Sequence, residues 1–304
     1  MTLLKRRYLI GGAIGEGGFG ITYLGKDTMN GARVAVKEYY PSSLVSRNGA
    51  ALEPKSHEAA LKFLQGKKRF TSEAKSMIEV KNLDGITGVL DFFGENDTVY
   101  IVMEYLDGVT LDKYFDAVGK LSFKNAFELL KPVLDALDGI HEAGFVHGDI
   151  SPDNIMIMKS GECKLIDFGA SVHADVFGGS RTVTLKKRYA PPEQYNAGMV
   201  LGRAADVYAV GVTLYYAVTH TLPPESTERL VRDEIKWPSF FGAKITREEE
   251  NALAVALAPD KDARFADIKA LAVALDDAVK RDRLDGQDKP VSQRVIDKLF
   301  GKKK

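Results

Sequence analysis

The sequence His147-Gly-Asp-Ile-Ser-Pro-Asp-Asn154 decides the fold, and Asp167-Phe-Gly169 follows it eighteen residues after Asp149. The apolar segment Lys164-Leu-Ile166 leads directly into the second motif and is typical of a short strand. Ala190-Pro-Pro-Glu193 comes later in the chain. Any one of these motifs can occur by chance, so their meaning depends on what accompanies them.

Upstream of these motifs, Gly15-Glu-Gly-Gly-Phe-Gly20 forms a G-x-G-x-x-G pattern. Alone it is a weak signal, because such glycines open dinucleotide-binding folds or simply reverse a hairpin. A dinucleotide site requires a helix after the glycines, whereas Ile21-Thr-Tyr-Leu24 and Val34-Ala-Val-Lys37 are typical of strands. The glycines are therefore predicted at the tip of a hairpin, where backbone amides can close over phosphate groups.

Lys37 ends an otherwise apolar strand. An unpaired ammonium is costly to bury, so this lysine needs an anionic partner. The predicted helix Lys67–Lys81 offers Glu73 on its apolar side, and Glu79, which falls off that face, is the alternative. A surface lysine at a strand end is the competing interpretation of a Val-Ala-Val-Lys string taken alone.

The periodicity divides the chain into two halves. Short β-branched runs over residues 8–103 predict a sheet, with one helix, Lys67–Lys81, bracketed by Gly66 and Asn82. Glu104–Gly108 is a short glycine-bearing connector of the kind that joins two lobes. Beyond it, apolar residues recur at helical spacing. The helical stretches are Phe127–Leu137, Asp206–Val218, Arg247–Ala258 and Phe265–Val279.

The composition is that of an ordinary globular protein, with 304 residues, 45% hydrophobic and 28% charged. Lys plus Arg and Asp plus Glu both number 42, so no overall field favours nucleic acid or an anionic membrane. The sole cysteine, Cys163, excludes an intrachain disulfide and predicts a cytoplasmic protein. The longest apolar run, Val207–Val218, is shorter than the roughly 20 residues that cross a bilayer, so no transmembrane segment is expected.

Five features follow one another along the chain: the glycine loop, the strand lysine, the catalytic loop, Asp-Phe-Gly and the Ala-Pro-Pro-Glu motif. Together, and in this order, they resemble the eukaryotic-like, bacterial-type Ser/Thr protein kinase superfamily. The resemblance covers residues 8–279. It implies an α+β, bilobal fold, with a small, mainly β N-lobe that holds one key helix and a larger, mainly α C-lobe. The implied boundaries are a lead-in at 1–7, a kinase domain at 8–280 (N-lobe 8–103, hinge 104–108, C-lobe 109–280) and a basic amphipathic tail at 281–304.

The resemblance also implies ATP and Mg²⁺, with Mn²⁺ as an alternative metal, and protein substrates that carry Ser or Thr. Lys37 would contact the α- and β-phosphates, Asn154 and Asp167 would ligate the metal, and Asp149 would receive the hydroxyl proton. Glu73 would hold Lys37. The further positions implied for nucleotide binding are Gly15, Glu16, Gly17, Gly18, Phe19, Gly20, Thr22, Ala35, Met103, Glu104, Leu106 and Met156.

Two residues receive structural roles from the same resemblance. Asp206 resembles the aspartate of a central buried helix that anchors the catalytic loop. Arg264 resembles the buried partner of the glutamate in the Ala-Pro-Pro-Glu motif, here Glu193.

The chain departs from the family at three positions. Gly148 precedes the catalytic aspartate where many regulated kinases have an arginine that binds a phosphorylated activation loop, which predicts activity without that switch. Ser151 stands where Ser/Thr kinases usually have a lysine beside the γ-phosphate, and Lys186 where they have a threonine. The hypothesis is that Lys186 replaces the missing catalytic cation. The alternative is that Lys186 and Lys187 form a solvated basic run.

Two segments and two other functions stay open. Residues 41–66, called the insert below, look like an extra loop and a short helix that either decorates the small lobe or biases the Lys37–Glu73 pair. The tail either frays or docks on a partner or a membrane surface. Ser151 is compatible with a pseudokinase scaffold, and His147-Gly-Asp149 also occurs in small-molecule kinases that act on aminoglycosides or choline. Nucleic acid is not an expected partner.

Overall fold

The structure, a computed structural model, describes residues 2–18, 20–167, 172–173, 185–196 and 199–282. The chain divides into two compact units. The first consists of the chain up to Asn82 together with Thr87–Leu106, and the second of Leu83–Ile86 and the chain from Asp107 onward. The boundary after Leu106 lies inside the connector expected at 104–108. Within the described part of the chain, no helix is both long and apolar enough to span a bilayer.

The first unit is an antiparallel sheet with one long helix. Its elements are β1 (Thr2–Leu4), β2 (Tyr8–Gly17), β3 (Gly20–Asp27), β4 (Arg33–Tyr39), β5 (Val45–Asn48), β6 (Ala51–Pro54), α1 (His57–Glu79), β7 (Val89–Glu95) and β8 (Thr98–Glu104). The main sheet has the order β1-β2-β3-β4-β8-β7. Tyr8, Val34, Val36 and Val102 form a core on one face of it, which leaves the opposite face for Lys37 and its neighbours.

Helix α1 begins ten residues before the predicted start at Lys67, so the predicted boundary at Gly66 is wrong. The Ser56 hydroxyl caps the helix by accepting a hydrogen bond from the Ala59 N–H at 3.1 Å. Gly66 lies inside the helix, where a Cβ would overlap the hydroxyl of the buried Tyr39. The glycine therefore serves close packing against Tyr39 and does not end the helix.

Gly66→Ala is expected to lower the melting temperature, although alanine favours a helix by about 1 kcal/mol over glycine. The added methyl group has to displace Tyr39, and overpacking of this kind costs about 1–3 kcal/mol. Gln65→Ala, at the exposed neighbouring position, is the control and should leave the melting temperature nearly unchanged. A variant at residue 66 that melts above the wild type would show that Tyr39 gives way without cost.

The insert is not a plain loop followed by a separate helix. It contains the hairpin β5–β6 and the first half of α1. Arg47 of β5 donates a hydrogen bond to the carboxylate of the buried Glu38 at 2.6 Å, and Tyr23 and Tyr100 donate to the same carboxylate at 2.8 and 2.9 Å. Phe63 of α1 stacks on Tyr39 with ring centroids 5.4 Å apart. The insert is thus packed into the first unit.

The second unit is mainly helical. Its main elements are β9 (Gly108–Thr110), α2 (Leu111–Val118), α3 (Phe123–Glu142), β10 (Phe145–Val146), β11 (Ile155–Met158), β12 (Cys163–Leu165), β13 (Val172–His173), α4 (Ala204–Thr219), α5 (Ser226–Val231), α6 (Arg247–Ala256) and α7 (Ile268–Asp282). Nearly every residue of α4 is buried, as its continuous apolar run predicts. The predicted helices all occur, and the last begins at Ile268 and not at Phe265. The α+β fold class is confirmed.

The short segment Leu83–Ile86 belongs to the second unit although its neighbours in sequence belong to the first. Gly85 has φ +77°, a backbone conformation that favours glycine, and a Cβ there would come within 2.9 Å of the Pro132 carbonyl of α3. The Leu165 N–H donates to the Gly85 carbonyl at 2.9 Å. These contacts join the segment to α3 and β12.

Candidate active site

The glycine motif forms the tip of the β2–β3 hairpin, as predicted, because Gly17 pairs with Gly20 across the two strands. At Gly17 and Gly18 a Cβ would meet no described residue within 4 Å other than its chain neighbours, so there is open space beside this backbone. Phe19, which was expected to contact the nucleotide, lies outside the described residues. The open backbone at the tip suits a phosphate-bearing ligand.

Lys37 and Glu73 form the expected ion pair, with Nζ 2.8 Å from Oε1. Both side chains are largely buried, at 18% and 9% exposed, so the pair is well shielded from water. The Lys37 ammonium also lies 5.5 Å from the centre of the Phe70 ring. Helix α1 therefore presents Glu73, and not the alternative Glu79, to the strand lysine.

Sheet register places three more of the expected residues around Lys37. Thr22 is directly opposite Lys37, and Met103 is directly opposite Ala35. Directly opposite residues share one face of an antiparallel sheet, as do residues two apart on one strand. Thr22, Ala35, Lys37 and Met103 therefore share a face. After Met103, Glu104 accepts from the Gly88 N–H at 2.9 Å through its carboxylate, and Leu106 is buried.

In the second unit, Asp206 of α4 holds the segment that carries Asp149. Its two oxygens accept from the backbone N–H groups of His147 and Gly148, both at 2.8 Å, and the His141 ring contacts it at 2.8 Å. Burial by itself raises the pKa of this carboxyl, but the hydrogen bond from His141 and neighbouring histidine charge outweigh burial and hold the pKa below its usual value. The anchoring role expected of Asp206 is confirmed.

Gly148 has φ +73°, a conformation that side-chain-bearing residues rarely adopt. The backbone here thus favours glycine at the position where an arginine is usual. Gln194 donates to the Gly148 carbonyl at 2.7 Å, so the peptide that follows Gly148 is also fixed by a hydrogen bond. Burial lowers the pKa of His147, and its ring nitrogen Nδ1 accepts the Asp149 N–H at 3.3 Å.

Asn154 and Asp149 lie together. The Asn154 amide donates to the Asp149 carbonyl at 2.8 Å and to its carboxylate at 2.7 Å, so the orientation of the carboxylate is fixed. The Ile166 N–H donates to the Asn154 carbonyl at 3.1 Å, which brings Asp167, the next residue, to the same loop. Met156 follows on β11, half-buried.

The donor set fits a magnesium ion. Mg²⁺ is usually held by one or two carboxylates together with substrate phosphates and water. Asp167 and the Asn154 side chain would supply oxygens of that kind. Across the described residues there is no group of three or more His, Cys, Asp or Glu side chains that could hold a metal without such help. Phe168 and Gly169, which complete the Asp-Phe-Gly motif, lie outside the described residues.

Lys186 reaches the catalytic loop. Its ammonium donates to the Ser151 hydroxyl at 2.9 Å and contacts the Asp153 carboxylate, while the Ser151 hydroxyl donates to Asp153 at 2.9 Å. Lys187 points elsewhere, with its side chain 78% exposed and 3.9 Å from Glu225. The two lysines are therefore not one solvated basic run.

Glu193 and Arg264 form the expected buried ion pair, with distances of 2.7 and 3.0 Å between two nitrogens and two oxygens. The same guanidinium donates to the backbone carbonyls of Ala204, Ala258 and Pro259. Arg264 therefore ties the Ala-Pro-Pro-Glu segment to the helices of the second unit.

A family model described as "Protein kinase domain" matches residues 8–252. The chain belongs to the protein kinase family. The bacterial-type resemblance is confirmed by curated relatives: the chain is 34% identical to the probable serine/threonine-protein kinase SCO3848 of Streptomyces coelicolor, over 86% of this chain and 38% of that protein. It is 28% identical to the serine/threonine-protein kinase PrkC of Bacillus subtilis, over 92% of this chain and 42% of that protein.

The kinase fold has a solved counterpart, titled "PpkA-294 apo form", which is 30% identical and has a TM-score of 0.78. The alignment covers 88% of this chain and 96% of that one. The bilobal kinase fold class is therefore confirmed. The chain spans only about two fifths of the length of the two curated relatives described above.

Sequence reasoning about this kinase missed Asp153 and Gln194. Asp153 lies on the same short turn as Ser151 and Asn154, so a carboxylate two residues after the substituted serine was a usable signal. Gln194 carries no such signal, because its partner is a backbone carbonyl 46 residues away in the chain.

Proposed function

We propose that the chain is an ATP- and Mg²⁺-dependent protein kinase that transfers the γ-phosphoryl group to Ser or Thr hydroxyls. The observation that carries this proposal is Asp149, which Asn154 holds in one orientation by donating one hydrogen bond to its carboxylate and one to its backbone carbonyl. A kinase needs such a group beside the attacking hydroxyl, because phosphoryl transfer depends mainly on positioning and charge stabilisation. The names of the curated relatives support the choice of Ser and Thr.

In this proposal each residue of the site has its own role. Asp149 orients the substrate hydroxyl and receives its proton at a carboxylate oxygen. Lys37, held by Glu73, neutralises charge on the α- and β-phosphates. Asn154 and Asp167 hold Mg²⁺, which, when bound, neutralises charge on the β- and γ-phosphates.

The remaining positions would bind the rest of the nucleotide. Thr22, Ala35 and Met103 share the face of Lys37, and the hairpin tip leaves its backbone open to phosphates. Backbone groups between Glu104 and Leu106 would contact the base, with Met156 as an apolar neighbour. A cytoplasmic location stays a prediction that rests on the single, buried Cys163.

The test is to incubate the purified chain with γ-labelled ATP, Mg²⁺ and casein, and to identify the labelled amino acids. Label on phosphoserine or phosphothreonine, absent from Asp149→Asn, supports the proposal. Nucleotide binding without transfer would instead indicate a pseudokinase. Label that appears only on added aminoglycosides or choline would indicate a small-molecule kinase.

We also propose that activity does not depend on phosphorylation of the activation segment. The support is Gly148, whose backbone conformation favours glycine where an arginine would bind the phosphorylated loop. Replacing Ser180, Thr182 and Thr184 together by alanine should therefore change kcat only modestly, as measured by initial rates on casein. These three hydroxyls lie outside the described residues. A fall of orders of magnitude, with full activity in a phosphorylated wild type, would show that another cation binds the loop.

A further inference from the structure

We propose that Lys186 is a catalytic cation carried by the activation segment and that Asp153 is the positioning residue that holds its ammonium beside Asp149. This inference rests on the proposed phosphoryl transfer and deepens it. It assigns the charge that Ser151 does not supply to a side chain 35 residues further along the chain.

Three side chains form one connected network around the Lys186 ammonium. The Lys186 ammonium is bound by Ser151 and Asp153 together, and the Ser151 hydroxyl joins the two by accepting from the lysine and donating to the carboxylate. Ser151 is fully buried, so the serine end of this network is fixed in place. A serine in place of a lysine leaves room for an ammonium that arrives from elsewhere, and the hydroxyl serves as one of its ligands.

The network is attached to the turn that also orients Asp149. Ser151, Asp153 and Asn154 lie on one short turn, Pro152–Asn154 with Ser151 as its N-cap. Asn154 fixes the Asp149 carboxylate, and Asp153 contacts the Lys186 ammonium. One rigid turn thus positions both the proton acceptor and the cation. Asp149 and Lys186 also line the same small cavity.

Several acidic groups lie around the Lys186 ammonium. The carboxylates of Asp149, Asp153 and Asp112 act on it, and the Tyr189 ring centre lies 5.7 Å away. Burial lowers the pKa of Lys186, while Asp149 and Asp112 raise it. The Lys186 side chain is thus half-buried and has acidic groups around it beside the proton acceptor. A lysine that only tethered the segment would not have to lie there.

A cation beside Asp149 acts on the phosphoryl group during transfer. The transferred phosphoryl group carries negative charge, and it must approach an acceptor oxygen next to the Asp149 carboxylate. A fixed positive charge there reduces the repulsion between phosphoryl group and carboxylate, and it acts most strongly in the transition state.

The direct test is the rate of Lys186→Ala. Its kcat should fall by about 10²-fold or more, the scale of removing one preorganised charge, while KM for ATP stays close to the wild-type value. Lys187→Ala is the matched control and should retain wild-type kcat, since its side chain is exposed and directed away. The double variant Ser151→Lys with Lys186→Thr should recover part of the loss, because it supplies the charge from residue 151.

A pH profile separates charge from mere structure. The ammonium acts only when protonated, so kcat should fall as pH rises through the pKa of Lys186. Asp153→Asn removes a carboxylate that stabilises the ammonium, and should move this alkaline limb to lower pH. Lys186→Arg should abolish the limb, because a guanidinium stays charged throughout. Melting curves of all variants identify any that fail to fold, and the double variant then carries the test.

Three results would overturn the inference. Equal, small effects of Lys186→Ala and Lys187→Ala on kcat in an active enzyme would show that Lys186 only holds the activation segment in place. An increase in kcat for Lys186→Ala would make it an inhibitory contact. A wild type that binds ATP and transfers no phosphate would overturn the proposed function itself, and the inference with it.

Discussion

Lys37→Met should reduce phosphate transfer by at least about 10²–10³-fold while the chain remains folded. Methionine fills the volume of the lysine stem against Phe70, so the packing of the face survives. What is lost is the charge that neutralises the phosphates in the transition state. The measurement is kcat on casein, with a melting curve of the same preparation.

The metal-binding assignment predicts a loss of the same kind for Asp167→Asn, because an amide is a much weaker magnesium ligand than a carboxylate. Lys26→Met is the matched control, since Lys26 lies exposed on β3 and loses a positive charge without touching the proposed site. Wild-type turnover in a folded Lys37→Met or Asp167→Asn variant would contradict the assignment of these residues.

Elements with a strong apolar period were predictable from the sequence. Helices α3 and α4 occur where the 3.6-residue period and the continuous apolar run place them. The hairpin tip at the glycine motif was predictable for a related reason, because strand-forming runs follow on its C-terminal side. Local sequence decides such elements, so no knowledge of distant contacts is needed.

The start of α1 was not predictable in this way. Glycine weakens a helix by about 1 kcal/mol, which makes Gly66 a reasonable boundary in sequence terms. What overrides this preference is contact with Tyr39, 27 residues earlier in the chain, which needs the space that a Cβ would fill. Distant contacts also decide that Leu83–Ile86 belongs to the second unit, because Gly85 contacts Pro132 and Leu165.

The hairpin β5–β6 could have been found. Asn48-Gly49 is a strong hairpin signal when strand-forming residues flank it, and Gly49 adopts φ +59°. Its docking through Arg47 to Glu38 could not have been predicted, because the sequence does not show that a glutamate beside Lys37 is buried on the other face of the sheet.

In the candidate site, too, local features were predictable and distant contacts were not. The order of the motifs predicts which residues carry the chemistry, since residue type and order are local properties. From the sequence alone, the contact between Lys186 and Ser151 could only be a hypothesis. A contact between residues 35 positions apart depends on how the activation segment folds back, and Asp153 enters only through that contact.

Asp206→Asn should lower both stability and catalysis, because one amide cannot replace a carboxylate that faces N–H donors on both oxygens. The amide nitrogen would then oppose the N–H of His147 or Gly148. Breaking a buried charged network of this kind costs about 3–5 kcal/mol. A displacement of Asp149 by about 1 Å would add a fall in kcat of about 10²-fold, with little change in KM for ATP.

The pH dependence of the stability loss gives a second measurement on this variant. The pKa of Asp206 is lower in the folded chain than its ordinary value, so the carboxylate contributes stability above the unfolded pKa. That contribution is lost as pH falls through the folded pKa. The stability difference between wild type and Asp206→Asn should therefore be largest near neutral pH and shrink as pH falls below about 4. Asp135→Asn, on the exposed side of α3, is the control that should show neither effect. Unchanged melting and kcat in Asp206→Asn would mean that other contacts of the loop, such as those of Gln194 and Asn154, suffice to keep its position.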